Sequence, residues 1–304
     1  MFAVDRRMVD SRMRDREQAR ARRIVLWIYL VATVAAVLVA WPFADWHPLA
    51  RTALADLVAT AVVFAGSRLL DNSSIYDPYW SVLPIGLALW HLVDAPPGAS
   101  GARQALVLAL VLLWGLRLTY NWLRGWTGLG HEDWRYRDFR TSWGRWYWPG
   151  GFLGIHLFPT LMTWLGCLAL HPALRSGAPL GLLDLLAFVV TLLAITIETL
   201  ADEQLRAFRL AHPTSGAICD VGLWARSRHP NYLGEVMFWI GLWLFAVAAD
   251  PDAATWTASG PLAMVALFCF ASVPLADRRS LRRRPAYAEH MRRVPAMLPR
   301  LRRR

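Results

Sequence analysis

The sequence predicts an all-α, polytopic membrane protein: a helical bundle of about eight spans, with a Trp/Arg-rich cytoplasmic loop and a basic, amphipathic C-terminal tail. Three observations predict it. Hydrophobic residues make up 56% of the 304 and charged ones only 18%, whereas a soluble domain carries about 25% charged residues. Apolar stretches near the ~20 residues needed to cross a bilayer recur along the chain. Most of the 33 basic residues, all of them Arg, gather between and outside those stretches, as the positive-inside rule requires. A mean hydropathy of +0.31 excludes a disordered chain, and 17 Trp suit one that meets a membrane–water interface.

Residues 1–23 form a basic tail. The first span, 24–43, reads as retained, because no small-residue cleavage site follows it. Further spans are expected near 53–70, 79–93, 104–123, 152–170, 180–200, 232–249 and 261–276, and the third is short. The transmembrane domain is thus 24–276, and 277–304 is a basic closing segment. Arg6, Arg7, Arg12 and Arg14 precede the first span, and Arg302, Arg303 and Arg304 close the chain. Eight spans put both tails and the Arg-rich stretches 124–145 and 206–228 on one side. The opposite loops are poor in Arg. This predicts the cell inner membrane, with both termini cytoplasmic.

Several chemistries are excluded. Without Lys there is no Walker A loop, and neither GxGxxG nor GxSxG occurs. Cys167, Cys219 and Cys269 form no CxxC pair, so neither a disulfide framework nor a zinc site is indicated. His131-Glu132 is not HExxH, since position 135 is Arg, and no metal site is expected. Trp interleaved with Arg can stack bases, but alternation with membrane spans argues against nucleic acid.

Ionisable groups inside spans are costly and mark function by default. Arg117, Tyr120, Asn121 and Arg124 share one helical face, as do Glu198, Asp202, Arg206 and Arg209. Asn231, Glu235 and Trp239 follow at i+4 after His229-Pro230. A shared polar cavity open to the cytoplasm explains all three stripes, capped by Arg124 and the 126–148 loop. The blander accounts are snorkelling Arg anchors and ion pairs that only pack helices. Pro230 suits the first turn of a helix, whose N-terminus, beside Arg226, Arg228 and His229, could take a phosphate or be an interfacial charge cluster.

The segments Gly222-Leu223-Trp224, Ser227-Arg228-His229-Pro230-Asn231-Tyr232 and Gly234-Glu235 resemble the C-terminal signature of the membrane steroid 5-alpha-reductase superfamily. Its bacterial branch of unknown function (DUF 1295) is matched further by Asp77-Pro78-Tyr79-Trp80-Ser81, Gly130-His131-Glu132-Asp133-Trp134-Arg135, Ala201-Asp202 and Pro285-Ala286-Tyr287-Ala288-Glu289. The resemblance covers roughly residues 60 to 300. It implies an NADPH-dependent reductase that delivers hydride to a conjugated carbon–carbon double bond of a hydrophobic, steroid- or isoprenoid-type small molecule. It implies cofactor contacts at Asn231, Glu235, Asp202 and Arg209, with Arg117 a looser match. Arg228, His229 and Tyr232 join them as candidates. Basic residues beyond the last span contribute in the family, which makes Arg278 and Arg279 suspects. The family polarises its substrate carbonyl with a Tyr and an acidic partner in the early spans, for which Tyr120, Tyr76 and Asp77 are candidates. The same C-terminal pattern also resembles S-adenosylmethionine-dependent isoprenylcysteine and phospholipid methyltransferases. A third reading is a non-enzymatic lipid-binding membrane protein.

Overall fold

The computed structural model describes residues 6–213 and 216–300, with side chains from residue 15 onward. The side chains of Arg6, Arg7, Arg12 and Arg14, and all of Arg302, Arg303 and Arg304, lie outside the described residues. Among the described residues the chain is helical throughout and has no strand.

The long helix α1 (Arg6–Ala40) runs from the basic tail into apolar sequence. Helix α2 (Pro48–Leu69) starts with Pro at its first position and the His47 imidazole accepting from Leu49 N–H. It ends at Leu69, and Asp71, with a φ of 49°, turns the chain. Asn72 caps a 3-10 turn, Ser73–Tyr76, that leads into α3 (Tyr79–Val93). Helix α4 (Gly101–Gly125) follows, and α5 (Trp134–Trp143) is capped by the Asp133 carboxylate. The Trp/Arg-rich loop is therefore partly helical.

The fifth apolar stretch is broken into α6 (Tyr147–Gly151), a π-helical turn over Phe152–Leu157, α7 (Phe158–Cys167) and α8 (Leu170–Arg175). Helices α9 (Leu182–Ala211) and α10 (Pro230–Ala249) are long and apolar. Short helices α11 (Ala254–Thr257) and α12 (Ser259–Leu267) precede a second π turn, Phe268–Ser272. The amphipathic α13 (Val273–Arg283) and α14 (Tyr287–Arg293) complete the order.

Among the described residues, six helical segments are long and apolar enough to cross a membrane: Asp15–Phe43, Pro48–Leu69, Gly101–Gly125, Leu182–Ala211, Pro230–Ala249 and Pro251–Arg283. Two of the eight expected spans fall outside that set. Helix α3 has only 15 residues and contains Pro84. The fifth stretch carries His156, Pro159, Thr160 and Thr163, which lower its apolarity.

The chain divides into two compact units. The first comprises Met1–Leu87 and Gly115–Trp164, the second Ala88–Trp114 and Leu165–Arg304. In the first, α1 packs on α2 where Ile28 lies against Gly66. A small cluster of Ala21, Val25, Ile75 and Trp126 joins α1 to the connecting segments. Leu26, Trp27 and Leu38 point outward from α1, and Trp41 is exposed just beyond it, as expected of a surface facing lipid rather than water.

In the second unit, α9 and α10 pair through glycine. A Cβ at Gly234 would stand 2.7 Å from Cβ of Glu198 and 2.8 Å from the Ala194 carbonyl oxygen. Gly241, two turns on, abuts Thr191. Such small residues let membrane helices approach closely. At the N-terminus of α9, Asp184 accepts from Gly181 N–H and forms a buried bidentate pair with Arg103 at 2.7 and 3.0 Å. The same guanidinium donates to the carbonyls of Ala178 and Pro179, so this buried charge is fully partnered.

The glycine contact predicts that Gly234→Ala destabilises the protein by ~1–3 kcal/mol, the usual penalty for overpacking. Gly86→Ala, with nothing within 4 Å of the new methyl, should be neutral or slightly stabilising. Thermal unfolding in detergent, side by side, checks both.

Candidate functional site

Two polar assemblies stand out, one in each unit. That of the second unit is built on the N-terminal half of α10. Pro230 opens the helix, and its missing N–H leaves no ladder bond unmade. Asn231 and Glu235 then fall one turn apart on the same face. The Asn231 side-chain oxygen is buried and has no hydrogen-bond partner among the described residues. A buried acceptor left unmade costs ~1–3 kcal/mol, so this atom asks for a donor.

Glu235 is held differently. Trp114 Nε1 donates to Oε2 and Trp239 Nε1 to Oε1, each at 3.1 Å. Trp114 stacks on Phe238, with centroids 4.2 Å apart, and meets Trp239 edge-on. An aromatic bracket thus fixes the carboxylate and engages both its oxygens. Glu198 of α9 lies beside it at the Gly234 contact.

Arg228 and His229, just before α10, are buried. Arg228 Nη2 donates to Asp277 Oδ2 at 2.8 Å, and Nη1 donates to the Val294 carbonyl at 2.5 Å. His229 Nε2 lies 3.0 Å from Asp277 Oδ1, which also accepts from the Tyr287 hydroxyl at 2.8 Å. Burial and the neighbouring Asp277 raise the Tyr287 hydroxyl's pKa, keeping it a donor. The backbone continues the latch: Arg228 N–H donates to the Pro295 carbonyl and His229 N–H to that of Ala296. These side chains fasten the C-terminal segment to the start of α10. Tyr232 stacks on His229 at 5.1 Å. Asp202 lies four residues beyond Glu198 on α9, and Arg209 is exposed, within electrostatic reach of Arg284 and Asp202. Nearby, Gly222 adopts φ 56°, against the Gln204 amide that accepts from Leu223 N–H. Of the suspects beyond the last span, Arg278 is exposed on α13 and Arg279 is half-buried.

The first unit holds Arg117, Tyr120, Tyr76 and Asp77. Arg117 is half-buried on α4. Tyr120 is 58% exposed beneath the Arg124 guanidinium, 4.8 Å from its ring centre. Tyr76 is fully buried, and its hydroxyl lies 2.8 Å from both the His156 carbonyl and Thr160 Oγ1. Asp77 accepts instead from Tyr136 at 2.5 Å and from Arg135 at 3.2 Å. Burial pushes its carboxyl up to about 6, against the pull of Arg135 and Tyr136. Around it, Glu132 accepts from Ser73 N–H and from Arg140, which also reaches Asp71.

A second Tyr–acid pair lies deeper, and the sequence reading did not select it. Tyr79 donates to Asp56 Oδ1 at 2.6 Å, both groups being buried. The available signal was the lone acidic residue inside the second expected span. Its partner is 23 residues away, on another helix, and no periodicity links the two.

The chain belongs to the DUF1295 family, a protein family of unknown function whose model matches residues 63–294. An uncharacterized protein of Schizosaccharomyces pombe is 27% identical over 286 residues, 85% of this chain and 83% of that one. No solved structure matches.

The Asp77 shift carries a sign. Its folded pKa lies above the unfolded value of about 4. From pH 4 to 6 the native state therefore keeps a proton that the unfolded chain has lost. The Asp77 contribution to stability is full below pH 4 and declines as pH rises to 6. A rise of the carboxyl to about 6 corresponds to about 3 kcal/mol. Asp77→Asn should flatten the fall in melting temperature across pH 4–6, as thermal unfolding against pH will show.

Proposed function

We propose that this DUF1295 member is a membrane-embedded, NADPH-dependent reductase that delivers hydride to a conjugated double bond of a hydrophobic, steroid- or isoprenoid-type substrate. The observation that carries the proposal is the buried, unpartnered acceptor of Asn231 at the first turn of α10. A carboxamide there can take a donor from a nucleotide, and the positive dipole end of α10 favours a phosphate. The residues fit such a group: Asn231 and Glu235 would hold it, with Asp202 and Arg209 on α9 as further contacts. Arg228 and His229 are weaker candidates, because a phosphate would have to compete with Asp277 for them.

Bound NADPH supplies the hydride, which is the cofactor's chemistry. Taken by itself, the Tyr79–Asp56 pair of the first unit has the chemistry of a proton donor. A Tyr hydroxyl and a carboxyl that share a proton can donate to the oxygen of a developing enolate. Their burial keeps competing water away. The reading places the protein in the cell inner membrane with both termini cytoplasmic, where NADPH is available.

Nucleotide titration of the purified protein tests the reading, with S-adenosylmethionine as the competing ligand. Wild type should bind NADPH and not S-adenosylmethionine. Asn231→Ala should weaken NADPH at least tenfold, about 1.4 kcal/mol, at unchanged melting temperature. Glu235→Gln should lose affinity and stability together, because one indole N–H then loses its acceptor. Unaltered NADPH affinity in Asn231→Ala, or preference for S-adenosylmethionine, contradicts the assignment.

A further inference from the structure

The Tyr79–Asp56 pair is one end of a longer line of buried groups in the first unit. Helix α2 turns Thr52, Asp56, Thr60, Val63 and Ser67 inward, all at most 3% exposed. Fifteen residues of helix rise about 22 Å, most of a bilayer core. Four of those five side chains are polar, where packing alone calls for apolar ones. From Asp56 the contacts continue without a break. Tyr79 donates to Asp56 at 2.6 Å, and Thr60 Oγ1 donates to the Tyr79 hydroxyl at 3.3 Å. Thr60 and Thr160 hydroxyls are 2.9 Å apart, and Thr160 and Tyr76 hydroxyls 2.8 Å. Thr160 and Thr60 can each donate toward Asp56 while accepting from behind, and Tyr76, whose hydroxyl donates to the His156 carbonyl, joins the row by turning its O–H to Thr160.

We propose that Tyr76, Thr160, Thr60 and Tyr79 form a proton relay that loads Asp56. Tyr76, itself fully buried, ends the 3-10 turn Ser73–Tyr76; Asp71, 73% exposed, precedes that turn and Asp77, 18% exposed, follows it, so in this relay solvent protons reach Tyr76 when the turn opens transiently. In one transfer the Tyr79 O–H breaks as an O–H forms on Asp56. Tyr79 is reprotonated from Thr60, Thr60 from Thr160, Thr160 from Tyr76, and Tyr76 from a solvent hydronium ion. One proton enters, one carboxyl forms, and nothing is oxidised. Chains of ionisable and hydroxyl groups at membrane depth serve such relays. The catalytic meaning, resupply of the proton spent on the substrate, rests on the reductase reading; the relay itself does not. Thr60, Thr160 and Tyr76 are then positioning residues that act through Tyr79 and Asp56.

The test is hydrogen–deuterium exchange at Asp56, read by infrared spectroscopy of the full-length protein in nanodiscs with no nucleotide present. The carboxyl C=O band is assigned by its loss in Asp56→Asn, and its shift is followed after transfer to D2O. Thr160→Val breaks the row at one atom. Its neighbours keep partners, because Tyr76 still reaches the His156 carbonyl and Thr60 still donates to Tyr79. Exchange should slow at least tenfold in Thr160→Val and recover in Thr160→Ser. Wild-type exchange in Thr160→Val overturns the proposal and leaves the hydroxyls as helix-to-helix contacts. So does the lack of a protonated Asp56 band at every pH where the protein stays folded. Failure to bind NADPH would sink the reductase reading and leave this result untouched.

Discussion

The near-contact of α9 and α10 at Gly234 is the constraint on which the polar assembly of the second unit depends. With no side chain at Gly234, the Glu198 turn of α9 lies directly against the Asn231–Glu235 turns of α10. The aromatic bracket then becomes possible. Gly166 leaves room for the Trp239 ring, and Trp239 and Trp114 deliver their indole N–H groups to the two oxygens of Glu235. A carboxylate among apolar side chains is tolerable only with such donors. Asn231, one turn earlier on the same face, is left with an acceptor unmade. The contrast separates the two residues: Glu235 is built into the packing, whereas Asn231 waits for a partner.

The same requirement, that each buried polar group find a partner, organises the rest of the molecule. Arg103 is sealed by Asp184 and two carbonyls. Asp277 gathers Arg228, His229 and Tyr287, and so ties the C-terminal segment to the start of α10. In the first unit, Asn72 donates to the Leu129 and His131 carbonyls while its own oxygen caps Ser74. Thr60 of α2 joins the hydroxyls of Tyr79, Thr160 and Tyr76 in a row. Each arrangement fixes a connecting segment or a helix pair that apolar packing alone would leave free to slide.

Much of the fold was legible in the sequence, because spans announce themselves by length and apolarity. The reading weakened where those signals weaken. A length of 15 residues takes α3 out of the set of clear spans, and His156 with Pro159, Thr160 and Thr163 dilutes the apolarity of the fifth stretch. Helix α5 went unseen because its Trp and Arg residues dominate its composition, although Asp133 caps it locally. In the site, the i, i+4 pairing of Asn231 and Glu235 was visible from spacing on one helix. The partners of Glu235 and Arg228 were not, since Trp114 lies 121 residues and Asp277 49 residues away. Tyr76 and Asp77 are sequence neighbours whose side chains part company, one to Thr160 and one to Tyr136. Spacing reports which residues share a face and is silent on what that face meets.

The central claim is that the start of α10 receives a nucleotide through Asn231. Amide hydrogen exchange by mass spectrometry, with and without saturating NADPH, tests it most directly. The account predicts added protection concentrated in residues 230–236, absent with S-adenosylmethionine and absent in Asn231→Ala. Protection of that segment by S-adenosylmethionine instead, or no change there at saturating NADPH, would contradict it.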